Sequence, residues 1–139
     1  MKIHDLDTPA IVIDLDIMER NLRKVSDYAR EHGLRLRPHT KTHKIPALGR
    51  RQVELGAVGL SVAKSTEAEV MLASGTPDLL VAYPEVGEQK LRRLVEVARR
   101  TQLTVSVDSL AVSGPLSEAA EACGAEMGGL AVVDVGLGR

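Results

Sequence analysis

The run Leu34-Arg35-Leu36-Arg37-Pro38-His39-Thr40-Lys41-Thr42-His43-Lys44 decides how the chain is read. It opens on a strand-like stretch, residues 34–37. Pro38 ends that stretch, because proline has no N–H to give to a sheet ladder. Around the end of the strand sit a primary amine (Lys41), two imidazoles (His39, His43) and two further cations (Arg37, Lys44). Strand ends are where α/β folds gather their reactive groups. A lysine in that place is suited to holding an aldehyde cofactor as a Schiff base. The spacing alone leaves an ordinary solvated loop lysine as the alternative.

Outward from this run the chain alternates between two periods. Upstream, residues 10–13 are a short apolar run of strand type. Asp16 reads as an N-cap, with Glu19 completing a capping box. Met18, Leu22, Val25 and Ala29 follow at helical spacing, and Gly33 supplies the stop. Downstream, a helix is expected over residues 46–55 with Gly56 as its stop, then a strand over 58–63. Thr66 and Glu69 read as a second capping box, opening a helix that runs to Gly75. A strand over 79–82 leads to Tyr83-Pro84 and a helix over 88–100. A strand over 103–107 precedes a mostly helical stretch, 109–123, which Gly114-Pro115 should break or restart. A last strand, 130–135, runs into Gly136-Leu137-Gly138-Arg139.

Strands alternating with helices at this spacing imply βαβ units and a parallel sheet. The strands are almost wholly apolar, as expected when both faces are covered. An open doubly wound sheet and a (β/α)8 barrel both satisfy the pattern. No G-x-G-x-x-G follows the first strand, so a dinucleotide site has no support. A barrel takes about 250 residues, and the 139 here supply about half.

Composition narrows the function. Apolar residues make up 44%, and the only aromatics are Tyr28 and Tyr83, so the core must be aliphatic. A net charge of −1 gives no basic excess for nucleic acid. The lone Cys123 cannot form an internal disulfide and is expected as a small buried thiol near a helix end. No long apolar run follows Met1, and none approaches the ~20 residues of a membrane span. A cytoplasmic, soluble protein is the expectation.

Three stretches taken together are more specific. Asp7-Thr8-Pro9-Ala10-Ile11-Val12-Ile13-Asp14-Leu15-Asp16, the run from Arg37 to Lys44, and Val133-Asp134-Val135-Gly136-Leu137-Gly138-Arg139 resemble the N-terminal part of the D-threonine aldolase and D-serine dehydratase family. These are alanine racemase-like, pyridoxal-phosphate-dependent barrel enzymes. The resemblance spans nearly the whole chain, and R-P-H-x-K-T-H-K is its most specific element. It implies an α/β fold, a partial (β/α)8 TIM-type barrel like the alanine racemase N-terminal domain, with parallel strands and covering helices. Residues 1–16 would be a strand segment pairing with a C-terminal β domain outside this sequence. Residues 17–139 would be the first half of the barrel.

The resemblance also implies pyridoxal 5'-phosphate as a Schiff base on Lys41, with Arg139 near the phenolic oxygen of its ring. His39 and Tyr83 are candidate cofactor contacts, while Lys64, Asp108 and Asp134 are strand-end polar residues. Arg37 and Lys44 beside Lys41 would favour a neutral, nucleophilic amine. No residue is assigned to a metal; a divalent metal fits the full-length family, with ligands beyond this sequence. The implied activity is that of a lyase on a small D-amino acid, by retro-aldol cleavage to glycine and an aldehyde. D-serine dehydration and racemisation are the alternatives in the same class. A non-catalytic cofactor carrier, or an inactive remnant, is the alternative of another class. Five strands cannot close an eight-stranded barrel, so the chain is expected to be a homo-oligomer or prone to aggregation.

Overall fold

The alternating pattern folds as a four-stranded parallel sheet with helices against it in the computed structural model, which describes residues 2–136. Helix α1 spans Leu15–Glu31 and α2 spans Pro46–Glu54. Strand β1 (Leu60–Val62) leads to α3 (Ser65–Met71), and β2 (Asp78–Val81) to α4 (Glu88–Ala98). Strand β3 (Gln102–Val107), α5 (Leu110–Ala122) and β4 (Gly128–Ala131) complete it. The strands lie in the order β1-β2-β3-β4, all parallel. Consecutive strands lie side by side with no reversal of order, so the sheet is an arc of a barrel and has no switch point of the doubly wound kind.

Alternation of side chains sorts the two faces of the arc. Leu60 and Val62, Leu79 and Val81, and Leu103 and Val105 pack with Ala68, Met71, Leu91, Leu94, Val97 and Leu116 from the helices to form the core. The intervening residues Ser61, Leu80, Thr104 and Ser106 therefore face the opposite, inner side. Two glycines allow close approach. A Cβ at Gly49 would lie 2.9 Å from Leu60 Cδ1, and one at Gly59 would lie 2.6 Å from both Arg37 Nη1 and the Asp78 carbonyl oxygen.

Several local expectations are corrected. The cap of α1 is Asp14, whose carboxylate accepts from the Ile17 N–H at 2.9 Å, and Asp16 lies in the first turn. Glu19 is thereby released from capping. It receives Arg51 from α2, with Nε to Oε2 at 2.9 Å, while the Ser26 hydroxyl donates to the Leu55 carbonyl. Helix α3 begins at Ser65, one residue before the expected Thr66 cap. Helix α5 runs unbroken through Pro115, where the burial of Val112 and Leu116 holds the turns on either side. Cys123 is exposed: it is the C-cap of α5, and its carbonyl accepts from Arg99. Strand β4 is shifted toward the N-terminus relative to the expected 130–135.

Residues 34–37 form no regular strand. They run extended beside β1, with the Val58 N–H donating to the Leu36 carbonyl (2.9 Å), the Ser61 N–H to the Pro38 carbonyl (2.8 Å), and a single parallel bridge between His39 and Ser61. Pro38 has no N–H to return, so the ladder stays one-sided there. Residues 10–13 join no strand, and Ile11 is 99% exposed.

The Glu19–Arg51 contact gives a pH signature. Hydrogen bonding from Arg51, against an opposing burial effect and aided by its charge and that of Arg23, lowers the Glu19 carboxyl from 4.5 to about 2. A carboxyl depressed on folding adds stability that is complete above its unfolded value and disappears as pH falls through the folded one. The difference in thermal midpoint between the wild type and Glu19→Gln should therefore hold at neutral pH and vanish between about pH 4.5 and 2. A difference constant across that window would show that Glu19 does not tie α1 to α2 through its charge.

Candidate active site

The chain turns sharply where the bridge to β1 ends. Thr40, fully buried, donates its hydroxyl to the Ser61 carbonyl at 3.2 Å. Its own carbonyl accepts the N–H groups of His43 (3.1 Å) and Lys44 (2.8 Å). These bonds close a single 3-10 turn, Thr40–Thr42, with Lys41 at its centre and exposed. Lys41 thus follows directly from the C-terminal end of a segment parallel to β1.

His39 caps this turn from below, with its Nδ1 accepting the Lys41 N–H at 3.2 Å. An accepting Nδ1 places the ring proton on Nε2. Burial first, then the Lys41 charge, pushes the His39 imidazole below its ordinary value, against an opposing pull from Glu67. The neutral ring is the form that can accept. His43 follows the same logic, with Nδ1 accepting the Ile45 N–H at 3.1 Å, and burial lowers it too. Its Nε2 is buried, and the Gln52 side chain of α2 works against that lowering.

The two cations expected beside Lys41 are both engaged by carboxylates. Arg37 pairs with Asp78 at the start of β2, on the inner face two residues before His39. Lys44 Nζ lies 3.1 Å from Glu67 Oε1. Neither is a free charge beside the amine. Among the described residues Lys41 has no carboxylate within ion-pair distance.

Other strand-end residues are spread around the same rim. Tyr83 lies two residues past β2 and is 67% exposed. Lys64 is the exposed N-cap residue of α3. Asp108 follows β3, accepting from the Ser109 hydroxyl, and Asp134 follows β4, accepting from the Gly136 N–H. Arg139 lies outside the described residues. The described residues contain no cluster of three or more His, Cys, Asp or Glu placed to hold a metal, and no helix among them is long and apolar enough to cross a membrane.

Sequence reasoning passed over two buried carboxylates on this rim, Glu67 and Glu85. Glu67 Oε2 accepts the Ala63 N–H at 2.8 Å. Glu85 takes the N–H and the hydroxyl of Ser65 (3.0 and 3.2 Å), closing the start of α3. For Glu67 the available signal was an acid in the first turn of a helix, read two residues out of place at Glu69. Burial works against ionisation of Glu67, but the Ala63 N–H and the Lys44 ammonium outweigh it and hold the carboxyl low.

The residues fit the aldehyde end of a pyridoxal cofactor. An exposed primary amine stands on an ordered turn. Along β1 to β3 the inner-face positions next from the His39–Ser61 row are small, Ala63, Ala82 and Ser106, and Leu130 of β4 closes that row. Small side chains leave room there for a flat ring.

Comparison with known proteins bears on the family and the fold. The chain is 40% identical over 134 residues to D-threonine aldolase of Arthrobacter sp, covering 96% of this chain and 35% of that protein. It is 40% identical over 124 residues to D-threo-3-hydroxyaspartate dehydratase of Delftia sp. (strain HT23), covering 88% of this chain and 31% of that one. The crystal structure of D-threonine aldolase from Filomicrobium marinum superposes with a TM-score of 0.94 at 43% identity, over 99% of this chain and 37% of that one. The chain thus spans about a third of the length of these relatives. Residues 13–139 match the family described as alanine racemase, N-terminal domain. With its parallel arc, its lysine turn at the strand ends and that match across the chain, the protein belongs to the alanine racemase N-terminal domain family.

Proposed function

We propose that this chain is the cofactor-bearing N-terminal part of a pyridoxal-phosphate-dependent lyase acting on D-amino acids, with D-threonine aldolase-type cleavage as its reaction. The observation that carries the reading is Lys41: an amine with no carboxylate partner among the described residues, on a turn fixed by Thr40 and His39. Lys41 would hold the cofactor aldehyde. His39 and Tyr83, with Arg139, are the proposed contacts to its ring. Bound there, pyridoxal phosphate supplies an electron sink for the charge left at a substrate carbon when a bond to it breaks. The chain's own part is positional. Thr40 ties the turn to β1, and the neutral His39 ring fixes the Lys41 backbone from beneath. The similarity to a dehydratase favours a second reading, loss of water from a β-hydroxy D-amino acid, at the same lysine.

Exposure of Ile11, Val12 and Ile13 supports the further reading that residues 1–16 pair with a β domain outside these residues. On β4, an edge strand of the sheet, and just beyond it, Leu130, Val132, Val133 and Val135 are exposed. Apolar edges of this kind template association, so we expect the chain alone to self-associate. A single monomeric elution volume on size exclusion, unchanged by dilution, would overturn that.

The cofactor reading is tested by adding pyridoxal phosphate to the chain and recording its absorbance. A visible band distinct from that of free cofactor is expected, together with a borohydride-fixed pyridoxyl group on Lys41. A spectrum of free cofactor alone at all concentrations would sink the proposal.

A further inference from the structure

The turn places two lysines three residues apart, and only one can carry an aldehyde productively. We propose that Glu67 is the positioning residue that makes this choice, holding Lys44 out of reaction so that the aldehyde condenses with Lys41. This rests on the cofactor reading above for its ligand, and on the structure for its geometry.

Glu67 is 6% exposed, and its two carboxylate oxygens do separate work. Oε2 accepts the Ala63 N–H at 2.8 Å, which fixes the carboxylate to the end of β1. Oε1 takes Lys44 Nζ at 3.1 Å. The carboxylate is therefore a rigid post and the lysine is the part drawn to it. Lys44 is also the only non-glycine among the described residues with a positive φ, +53°. That conformation is disfavoured for a side chain of this kind. It reverses the chain directly after the lysine turn and sends the Lys44 side chain toward α3. The Lys44 N–H bond to the Thr40 carbonyl closes the same reversal.

Condensation needs a free amine: its lone pair adds to the aldehyde carbon, and water leaves as the C=N bond forms. Lys44 must first break its contact with Glu67 and give a proton to solvent. Lys41 has no such contact to break among the described residues. The selection is thus made by a carboxylate 26 and 23 positions away in sequence from the two lysines it distinguishes, as 67 − 41 and 67 − 44.

The test is a ratio measured in the whole chain. Substoichiometric pyridoxal phosphate is added, borohydride reduces the C=N bond to a stable amine, and tandem mass spectrometry locates the label. Lys24, exposed on α1, is the reference. In the wild type Lys41 should carry far more label than Lys44. In Glu67→Gln, which keeps an acceptor for Ala63, the Lys44-to-Lys41 ratio should rise about threefold, the scale of a half-exposed ion pair. Lys24 should not change. The unaltered protein in about 1 M sodium chloride, where the screening length is ~3 Å, should show a rise in the same direction even if the variant fails to fold. Reductive methylation with formaldehyde needs no cofactor site and should give the same shift. If pyridoxal phosphate shows no preference for Lys41 while the formaldehyde ratio moves, the cofactor reading falls and the Glu67–Lys44 restraint stands. If neither probe changes its ratio in the variant or in salt, the Glu67 assignment is overturned.

Discussion

Lys41→Ala is expected to abolish the pyridoxyl label on the turn, leaving only the low level seen at exposed lysines such as Lys24. The argument is one of availability. Thr40 and His39 hold the turn by bonds from a hydroxyl, a carbonyl and a ring nitrogen, none of which uses the Lys41 side chain. Removing that side chain should therefore leave the turn intact and take away only the amine. Lys44 cannot substitute freely while Glu67 holds its Nζ at 3.1 Å. The visible band should disappear with the label, and the thermal midpoint should move little, as expected of an exposed position. Undiminished labelling of the variant on this turn would move the site to Lys44.

The largest effect on stability is expected from Leu79→Ala. Leu79 is fully buried in β2, paired with Leu60 on one side and Leu103 on the other. Truncation at such a place removes transfer free energy and leaves a cavity, together about 2–5 kcal/mol. The neighbours are strands fixed by their own ladders, so the gap cannot collapse easily and a value near the middle of that range, about 3–4 kcal/mol, is expected. For a domain whose total stability is about 5–15 kcal/mol that is a large share. Leu130→Ala is the matched control: the same atoms are removed from β4, where Leu130 is 47% exposed. It should cost well under half as much. Urea unfolding would show a fall in midpoint with an unchanged slope for Leu79→Ala. Equal losses for the two variants would show that the core does not lie between the sheet and its helices.

The elements that could be read from sequence are those whose signal is local. Leu91, Leu94, Val95 and Ala98 repeat at helical spacing; Leu91 and Leu94 lie in the core, Ala98 packs against it, and Val95 is buried beside it. The stretch Leu103-Thr104-Val105-Ser106-Val107 is a strand, and Gly33, Gly56 and Gly75 stand at helix ends with positive φ as expected. The errors share one cause, which is competition for partners across space. Asp14 and Asp16 are equivalent as caps on paper, and Glu19 is free to bridge helices only because Asp14 serves α1. Arg37 and Asp78 are 41 positions apart, so their pairing cannot be read from either neighbourhood. The same holds for Lys44 and Glu67. A free cysteine is expected to be buried, yet Cys123 is exposed at the end of α5, where Arg99 engages its carbonyl and leaves the thiol open. For the candidate site, the motif located the lysine turn, while the carboxylates around it belong to helices and loops with no pattern of their own.

The sheet order has a consequence for how the protein comes into being. Pairing links Leu60 with Leu79, Asp78 with Gln102 and Thr104 with Gly128, so every strand docks on the one made just before it. The dockings close loops of 19, 24 and 24 positions, and the entropic cost of closure grows only slowly with loop length. Among the four described strands, each finds its first sheet neighbour close by in sequence. As a ribosome delivers the chain, each new β/α unit finds its template already laid down, in keeping with the vectorial folding of nascent domains.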